Sequence, residues 1–530
     1  MIIDTRRHAM NTDITYDVCI IGAGAAGITV ALELAKNTLL KIALLEAGGE
    51  HYERRAQNLF QGETEGDRHP PLRRARFSGL GGSTQIWAGW CRPLDKEDFE
   101  ARDYIVDSGW PIRFWELQPG YRRANEICGL GPFQYDLEHW QHLLKGKPLL
   151  HHPDLAHRIY QVRKLRFNHY YHESLKNAGN ISLFLFCPIM KLLATQNGRR
   201  VAQVEIASYD GKRKRLGARQ FVLATGGLEN ARLLLLSGPS PEQALGNQHD
   251  LVGRYFTEHG FVDSGWFWPT KDFRDLLYYF PIPHSVDGKY GTIRPVITLS
   301  PGVLKREKLC NGAMFFYPAY ESHPVFASDS VKATLELWES FKHQVFPGSW
   351  GDLFKRAACR PHHIFQAILR KTFIRNAPRT QWRLRFYYEC TPQPDNRVML
   401  SQHKDQFDRP TVRLCWRLAD QDLDSAYRFH RYLSGVLEKA GAGHLTFFDD
   451  PEQWRANTES GKHPMGTTRM HDNPAYGVVD RNCQVHGLEN LFIAGSSVFP
   501  TGGYANPTLT IVALAVRLAE YLQTRISEAG

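Results

Sequence analysis

The sequence predicts an α/β fold. A parallel sheet is assembled from separated segments of the chain, and an α+β domain on a mixed or antiparallel sheet is inserted between them. Three observations carry this. A strand, glycine turn, helix and second strand follow one another from Tyr16 to Glu46. Two later apolar runs that end in glycine, Phe221 to Gly227 and Asn490 to Ser497, repeat its logic. The stretch from about 261 to 455 is dense in aromatics and alternates apolar with polar residues. Composition agrees: 530 residues, 42% hydrophobic and 23% charged, describe a globular chain and exclude wholesale disorder.

In the first unit, Val18, Ile20 and Ile21 read as a buried parallel strand. Gly22-Ala23-Gly24-Ala25-Ala26-Gly27 makes the turn, and Ile28, Val30, Leu32, Leu34 and Ala35 follow at helical spacing. Ile42 to Leu45 is the second strand, ending at Glu46, 19 residues beyond Gly27. Gly22 permits a tight turn. Gly24 lets a pyrophosphate approach the backbone, because no Cβ intervenes. Gly27 lets the helix pack closely on the sheet. Ala25 and Ala26 stand at the helix N-terminus, whose unpaired N–H groups suit phosphates. Glu46 can accept hydrogen bonds from ribose hydroxyls and repels the extra phosphate of NADP. The unit predicts a dinucleotide, NAD or FAD.

A second glycine-rich segment, Leu80 to Gly89, carries Gly81, Gly82, Ser83 and Thr84, then Ile86 and Trp87. Flexible linkers do not carry such bulk, so an ordered loop is expected. In Phe221 to Gly227, the strand delivers Ala224 to a glycine turn, and Leu228 to Leu236 read as a helix. Between 261 and 455 the aromatics include Trp266, Phe267, Trp268, Phe273, Tyr278, Tyr279, Phe280, Phe315, Phe316 and Tyr317. Arg383 to Glu389, Arg397 to Leu400 and Val412 to Trp416 read as strands of the inserted domain's sheet, with Val412, Leu414 and Trp416 on one face. Asp420 to Lys439 reads as a helix.

The C-terminal part is the most informative. His463-Pro464-Met465-Gly466-Thr467-Thr468-Arg469-Met470 is followed by the strand and glycine turn Asn490 to Ser497. Gly502-Gly503-Tyr504-Ala505-Asn506-Pro507-Thr508 then precedes a helix over Leu509 to Leu522. Asn506 suits the N-cap and Pro507 the first helical position. The positive end of that helix, set beneath a flavin pyrimidine ring, would stabilise the reduced ring's negative charge.

Taken together, these motifs resemble the glucose-methanol-choline (GMC) family of flavoproteins. The match is carried by the glycine turn with Glu46, the Gly81 to Thr84 loop, the His463 block and the Ala494 to Thr508 return, in that order, and by Pro392 to Leu400. The wording HPMGTTRM and NPTLT is most similar to a bacterial branch with sugar dehydrogenases and relatives of pyranose oxidases. The resemblance implies a discontinuous Rossmann-like FAD-binding domain, with parts at 13–125, 165–260 and 456–530, around a substrate-binding domain at 261–455. It implies that His463 and Asn506 are catalytic. It places Gly22, Gly24, Gly27 and Glu46 on pyrophosphate and ribose, and Gly81, Gly82, Ser83 and Thr84 along the flavin and its phosphates. Ala494, Gly495 and Ser496 belong near the ribityl chain, Pro507 and Thr508 near the pyrimidine edge, and Ile189 against adenine through its backbone. Two positions depart from many relatives. Trp87 replaces a common Asn, so the indole is expected to shape the cofactor pocket. Ile86 stands where covalent relatives carry His, so the FAD is expected to be non-covalent.

The implied chemistry is oxidation of an alcohol, with hydride passing to flavin N5 and His463 taking the hydroxyl proton as general base. Asn506 would hold the same oxygen. The expected substrate is a sugar, glycoside, cyclitol or natural-product alcohol, and the electron acceptor is oxygen or an external compound. Two alternatives stand beside it: the large flavoprotein subunit of a membrane-associated sugar or gluconate-type dehydrogenase complex, and a GMC-fold lyase with redox-silent FAD. The remaining features are bland. A net charge of +10 is small over this length, so no nucleic-acid partner is expected. Lys212 to Arg215 follow Asp210-Gly211 and read as a solvated hairpin. Nine scattered cysteines without a CxxC pair fit a reduced cytoplasmic setting. No apolar stretch predicts a signal peptide or a membrane span. His139 with His142, His151-His152 and His362-His363 lack further ligands at metal spacing, so no metal is expected.

Overall fold

The computed structural model describes residues 1–8, 14–144, 148–270, 274–286, 289–318, 325, 328–343, 350–374 and 381–529. Among them, eight strands form a mainly parallel sheet. Its order runs Ile2–Asp4, Ile181–Leu185, Ile42–Leu45, Tyr16–Ile21 and Arg213–Leu223. The apolar runs explain the middle of it: Val18, Ile20, Ile21, Ile42, Leu44, Val222 and Leu223 are all fully buried. Arg213–Leu223 does two jobs. Its first half pairs antiparallel with Val201–Ala207, and its second half pairs parallel with Tyr16–Ile21 and Leu491–Ile493. The predicted strands at 221 and 491 therefore belong to the same sheet as the first unit. Ile2–Asp4, paired with Ile181–Leu185, was not expected.

The parallel strands end on one edge, so the loops after Ile21, Leu45, Leu223 and Ile493 converge there. Helix Ala25–Leu34 leaves that edge and packs on the C-terminal helix Thr508–Ala529, which also packs on Phe114–Ile127. Gly120 allows the last contact: a Cβ there would lie 2.7 Å from the Ala513 carbonyl oxygen.

A second sheet of nine strands is antiparallel. It runs from Gly443–Phe447 through His259–Pro269, Trp382–Glu389, Gly312–Pro318, Lys289–Leu299 and Leu155–Val162 to Trp90–Cys91. Its membership differs from the expected 261–455, since Trp90–Cys91 and Leu155–Val162 also join it. Arg397–Lys404 and Pro410–Trp416 do not. They pair with each other and with Gly62–Gly66 in a separate three-stranded sheet. Val412, Leu414 and Trp416 are buried on one face there, as the alternation requires.

Period two also sets the two faces of the nine-stranded sheet. Trp382, Leu384, Phe386 and Tyr388 are buried on one side, where helix Asp420–Lys439 brings Phe429 and His430 against Phe386. Arg383, Arg385 and Tyr387 occupy the other side. Phe273 lies outside the described residues.

Candidate active site

A cavity of about 500 Å³ runs from the edge of the parallel sheet to the free face of the antiparallel one. Gly22, Gly24, Ala25, Ala26, Glu46, Gly82, Ser83, Thr84, Trp87, Ile189 and Ala224 line it. From the C-terminal segment come His463, Ala494, Gly495, Ser496, Asn506, Pro507 and Thr508. Gly27 and Gly81 do not line it; they hold the turns behind it. A Cβ on Gly27 would lie 1.8 Å from the Gly22 carbonyl oxygen, and one on Gly81 2.8 Å from the Asn168 backbone nitrogen.

The parallel-sheet end is a backbone cradle. Gly22 has φ +104°, and a Cβ there would meet the Ala224 carbonyl oxygen at 2.5 Å. Gly24, Gly226 and Gly495 are open instead: a Cβ on Gly226 would meet nothing within 4 Å, and on the other two nothing nearer than 3.8 Å. In helix Ala25–Leu34 the Ile28 amide donates to Gly24 O at 3.0 Å, so the amides of Ala25, Ala26 and Gly27 precede the intrahelical ladder. Glu46 is buried, and its carboxylate accepts from Ala23 N at 3.0 Å and Gly48 N at 2.9 Å, fixing the turn. Lone pairs on the same oxygens remain for a ribose. Burial pushes this carboxyl above the usual carboxylate range. Asn230 ties two glycine returns together, accepting from Thr225 N at 2.9 Å and donating to Ser497 Oγ at 2.9 Å. Open glycine faces, a bare helix start and an acid at the second strand fit the adenosine diphosphate half of FAD.

Trp87 is held by its Nε1–H donating to Leu165 O at 2.9 Å. Ile189 reaches the cavity, but Arg409 donates to its carbonyl, leaving less of its backbone for an adenine than expected. Arg76 and Arg409 were missed. They line the cavity and are paired with Glu229 and Asp405 respectively.

Asn506 is not the N-cap. Ile511 N donates to Pro507 O at 2.8 Å, so Pro507 takes the capping place, one residue later than expected. The Asn506 amide is thereby free of the helix and donates from Nδ2 to His463 Nε2 at 3.2 Å. Pro507 and Thr508, at the start of helix Thr508–Ala529, line the cavity, so the positive end of the helix lies beside it, which fits a flavin pyrimidine ring.

His463 is fixed from three sides. Lys462 before it has φ +60°, a strained turn for a lysine. Its backbone N–H donates to Glu258 Oε2 at 2.6 Å. Its ring meets His259, with Nδ1 to Nδ1 at 3.0 Å and planes at 72°. The tautomers follow from acceptors. Gly502 O, 3.2 Å from His259 Nε2, only accepts, so that nitrogen carries a hydrogen. Burial lowers the His259 pKa, and burial, then His259 and Lys462, lower that of His463 well below the imidazole norm, so both rings are neutral. His259 Nδ1 is then an acceptor and His463 Nδ1–H donates to it. His463 Nε2 keeps its lone pair, which accepts from the Asn506 amide at the cavity wall. His259 was missed. Its signal in the sequence is faint: His259 and Phe261 alternate on a strand whose face is set only by pairing.

Comparisons with known proteins bear on the family of the chain. Residues 17–294, just over half the chain, match the family described as FAD dependent oxidoreductase. Residues 392–515 match the one described as GMC oxidoreductase. The chain is 22% identical to 6'''-hydroxyparomomycin C oxidase of Streptomyces lividus, over 97% of this chain and 92% of that protein. It is 22% identical to the fructose dehydrogenase large subunit of Gluconobacter japonicus, over 96% of this chain and 98% of that one. The crystal structure of pyridoxine 4-oxidase from Mesorbium loti superposes with a TM-score of 0.56 at 16% identity, over 96% and 99% of the two chains. No described helix is long and apolar enough to cross a membrane.

Proposed function

Because the chain belongs to the FAD-dependent oxidoreductases and carries the C-terminal region of the GMC family, we propose that it oxidises an alcohol to an aldehyde or ketone with His463 as general base and Asn506 as its partner. The observation that carries this is the single point served by both side chains: a buried imidazole lone pair at Nε2 and an amide N–H 3.2 Å from it, on the cavity wall. FAD, when bound, supplies the hydride acceptor at flavin N5. The substrate hydroxyl takes the place of the Asn506 amide at His463 Nε2, which receives its proton, so the oxygen becomes alkoxide-like and the carbon that bears it gives up hydride readily. Asn506 Nδ2–H donates to that oxygen and orients the carbon. His259 holds His463 in the basic tautomer before the transfer and accepts from its Nδ1–H after it. General-base assistance of this kind is worth roughly 10²–10⁴ in rate.

The substrate reading is a sugar, glycoside or cyclitol alcohol. It is supported by relatives named for paromomycin-type and fructose substrates and by the aromatic lining Trp90, Phe261, Phe315 and Tyr387. Non-covalent FAD is supported by Ile86, which lines the cavity and has no nucleophile. All nine cysteines are unpaired, which supports a reducing cytoplasmic setting. A second reading, a large subunit passing electrons to partner proteins, is supported by the end-to-end likeness to the fructose dehydrogenase large subunit.

The test is anaerobic mixing of yellow, FAD-loaded protein with a panel of sugars and cyclitols, followed by readmission of air. Bleaching by an alcohol and recolouring in air indicate an oxidase. Bleaching without recolouring, in protein that co-purifies with haem, favours the second reading. Protein that binds FAD and is bleached by no alcohol in a broad panel ends the proposal.

A further inference from the structure

The antiparallel sheet measures distance from the chemistry. His259 faces Glu389 in register, and two residues along on the same face Phe261 faces Tyr387, their rings stacked 5.5 Å apart at 19°. Two residues further, Asp263 faces Arg385, which in turn faces Phe315. One step more brings Arg383 opposite Tyr317, and Tyr317 OH accepts from Arg294 Nη1 at 3.0 Å. Each step is about 7 Å along the strands. An aromatic level therefore borders the histidines, and an arginine level begins about 7 Å beyond it.

That second level carries unbalanced charge. Arg383 and Arg385 share one carboxylate, Asp263, at 2.8 Å and 2.7 Å. Arg294 is only 5% exposed and has no carboxylate partner among the described residues. Its protein acceptors are Tyr317 Oη and, at 3.4 Å, Phe316 O, and its Nε has none. Aromatic faces stand in for an anion: the guanidinium carbon lies 4.3 Å from the Tyr317 ring, 5.2 Å from Phe315 and 5.4 Å from Trp90. Two of those rings, Phe315 and Trp90, line the cavity. A buried guanidinium without a counter-ion is costly, and its fork of N–H donors matches a planar or tetrahedral oxyanion.

We propose that the substrate carries an oxyanion (a carboxylate, sulfate or phosphate) one sugar-ring length beyond the aromatic level, received by Arg294, Arg383 and Arg385. The inference rests on the alcohol oxidation proposed above and adds the substrate's charge. It selects acidic or sulfated sugars and disfavours amino sugars, whose ammonium groups the three arginines repel.

Equilibrium binding to FAD-loaded enzyme tests it, by calorimetry with lactobionate, its neutral counterpart lactitol and the disaccharide of glucosamine. Lactobionate should bind at least about tenfold tighter than lactitol, with an advantage that shrinks as salt is added. The glucosamine disaccharide should bind weakest, and inorganic sulfate should displace lactobionate. Arg294→Met and Arg385→Gln should each reduce lactobionate toward lactitol's affinity. The second variant is included because Arg294 also packs. Equal affinities in the wild type, a carboxylate preference that survives both substitutions, or no binding of lactobionate overturns the proposal. Bleaching by neutral alcohols with equal affinities removes the anion site and leaves the oxidation standing. A lactobionate preference without bleaching by any alcohol does the reverse.

Discussion

The two large sheets meet at one cavity and offer it different things. The parallel sheet presents backbone: glycine turns, the start of a helix and amides held by Glu46. Side chains are excluded there, as the 2.5 Å approach of a Gly22 Cβ to Ala224 O shows. The antiparallel sheet presents aromatic side chains, Phe261, Phe315 and Tyr387, with His259 before them and the arginines beyond them along the same strands. A cofactor common to many enzymes is suited to the first kind of surface, because backbone recognition needs only shape. A particular substrate needs the second, because only side chains differ enough in charge and size to select it.

Breaking the backbone side should have the largest effect. Gly22→Val adds a side chain at φ +104° against a carbonyl, and we expect protein that is insoluble or colourless after purification with added FAD. The ratio of flavin to protein absorbance reads this directly. A fully yellow variant would show that the turn is less constrained than its geometry requires.

The side-chain half should fail differently. His463→Ala should stay yellow and lose roughly 10²–10⁴ in the anaerobic rate of flavin reduction. In the wild type that rate should be flat near neutrality. The His463 pKa lies well below the usual 6.5, so protonation, which removes the base, should lower the rate only as pH falls well under that value. Stopped-flow rates against pH check both points.

His259 gives a smaller and more diagnostic effect. His259→Phe removes the acceptor for His463 Nδ1–H, so we expect about a tenfold loss in kcat with KM little changed. His259→Asn supplies an oxygen acceptor and should recover much of the rate. In both, the acid limb should move up but stay below the ordinary imidazole range, because burial, the main cause of the low His463 pKa, remains while the smaller contribution of His259 is lost. A purely structural role would lower folded yield without moving the pH profile.

The smallest effect lies away from the cavity, under the antiparallel sheet. Burial lowers the His430 pKa from 6.5 to about 3. The unfolded chain takes a proton there below about 6.5 and the folded chain does not, so His430's contribution to stability is intact above that pH and is lost as pH falls toward 3. His430→Gln should reduce the slope of unfolding free energy against pH by up to about one proton in that window, measured by chemical denaturation.

Legibility followed the same division. The turn at Gly22 to Gly27 and Glu46 could be read directly, since tight turns and close approach leave few residue choices. Helix Asp420–Lys439 matched its predicted span because its apolar spacing is regular. His463 and Asn506 were singled out through their motif and lie together on the cavity wall, but the physical reading of Asn506 as a cap was wrong by one residue: Pro507 caps, and the amide turns to the histidine. His259 and Arg294 could not be found. Each sits on a strand whose neighbours are 100 or more residues away or set by a hairpin, and nothing local says which face they occupy. Trp90–Cys91 is two residues long, too short for periodicity to register.

Local stereochemistry thus specified the cofactor's cradle: a residue that must be glycine is visible as glycine wherever the chain later goes. The tautomer of His463, the level at which the arginines stand and the strands that border the cavity arise from pairings between distant segments. One residue of slip in such a pairing carries every side chain to the opposite face, so the chemistry and the selectivity of the site come into being only when the two sheets close on each other.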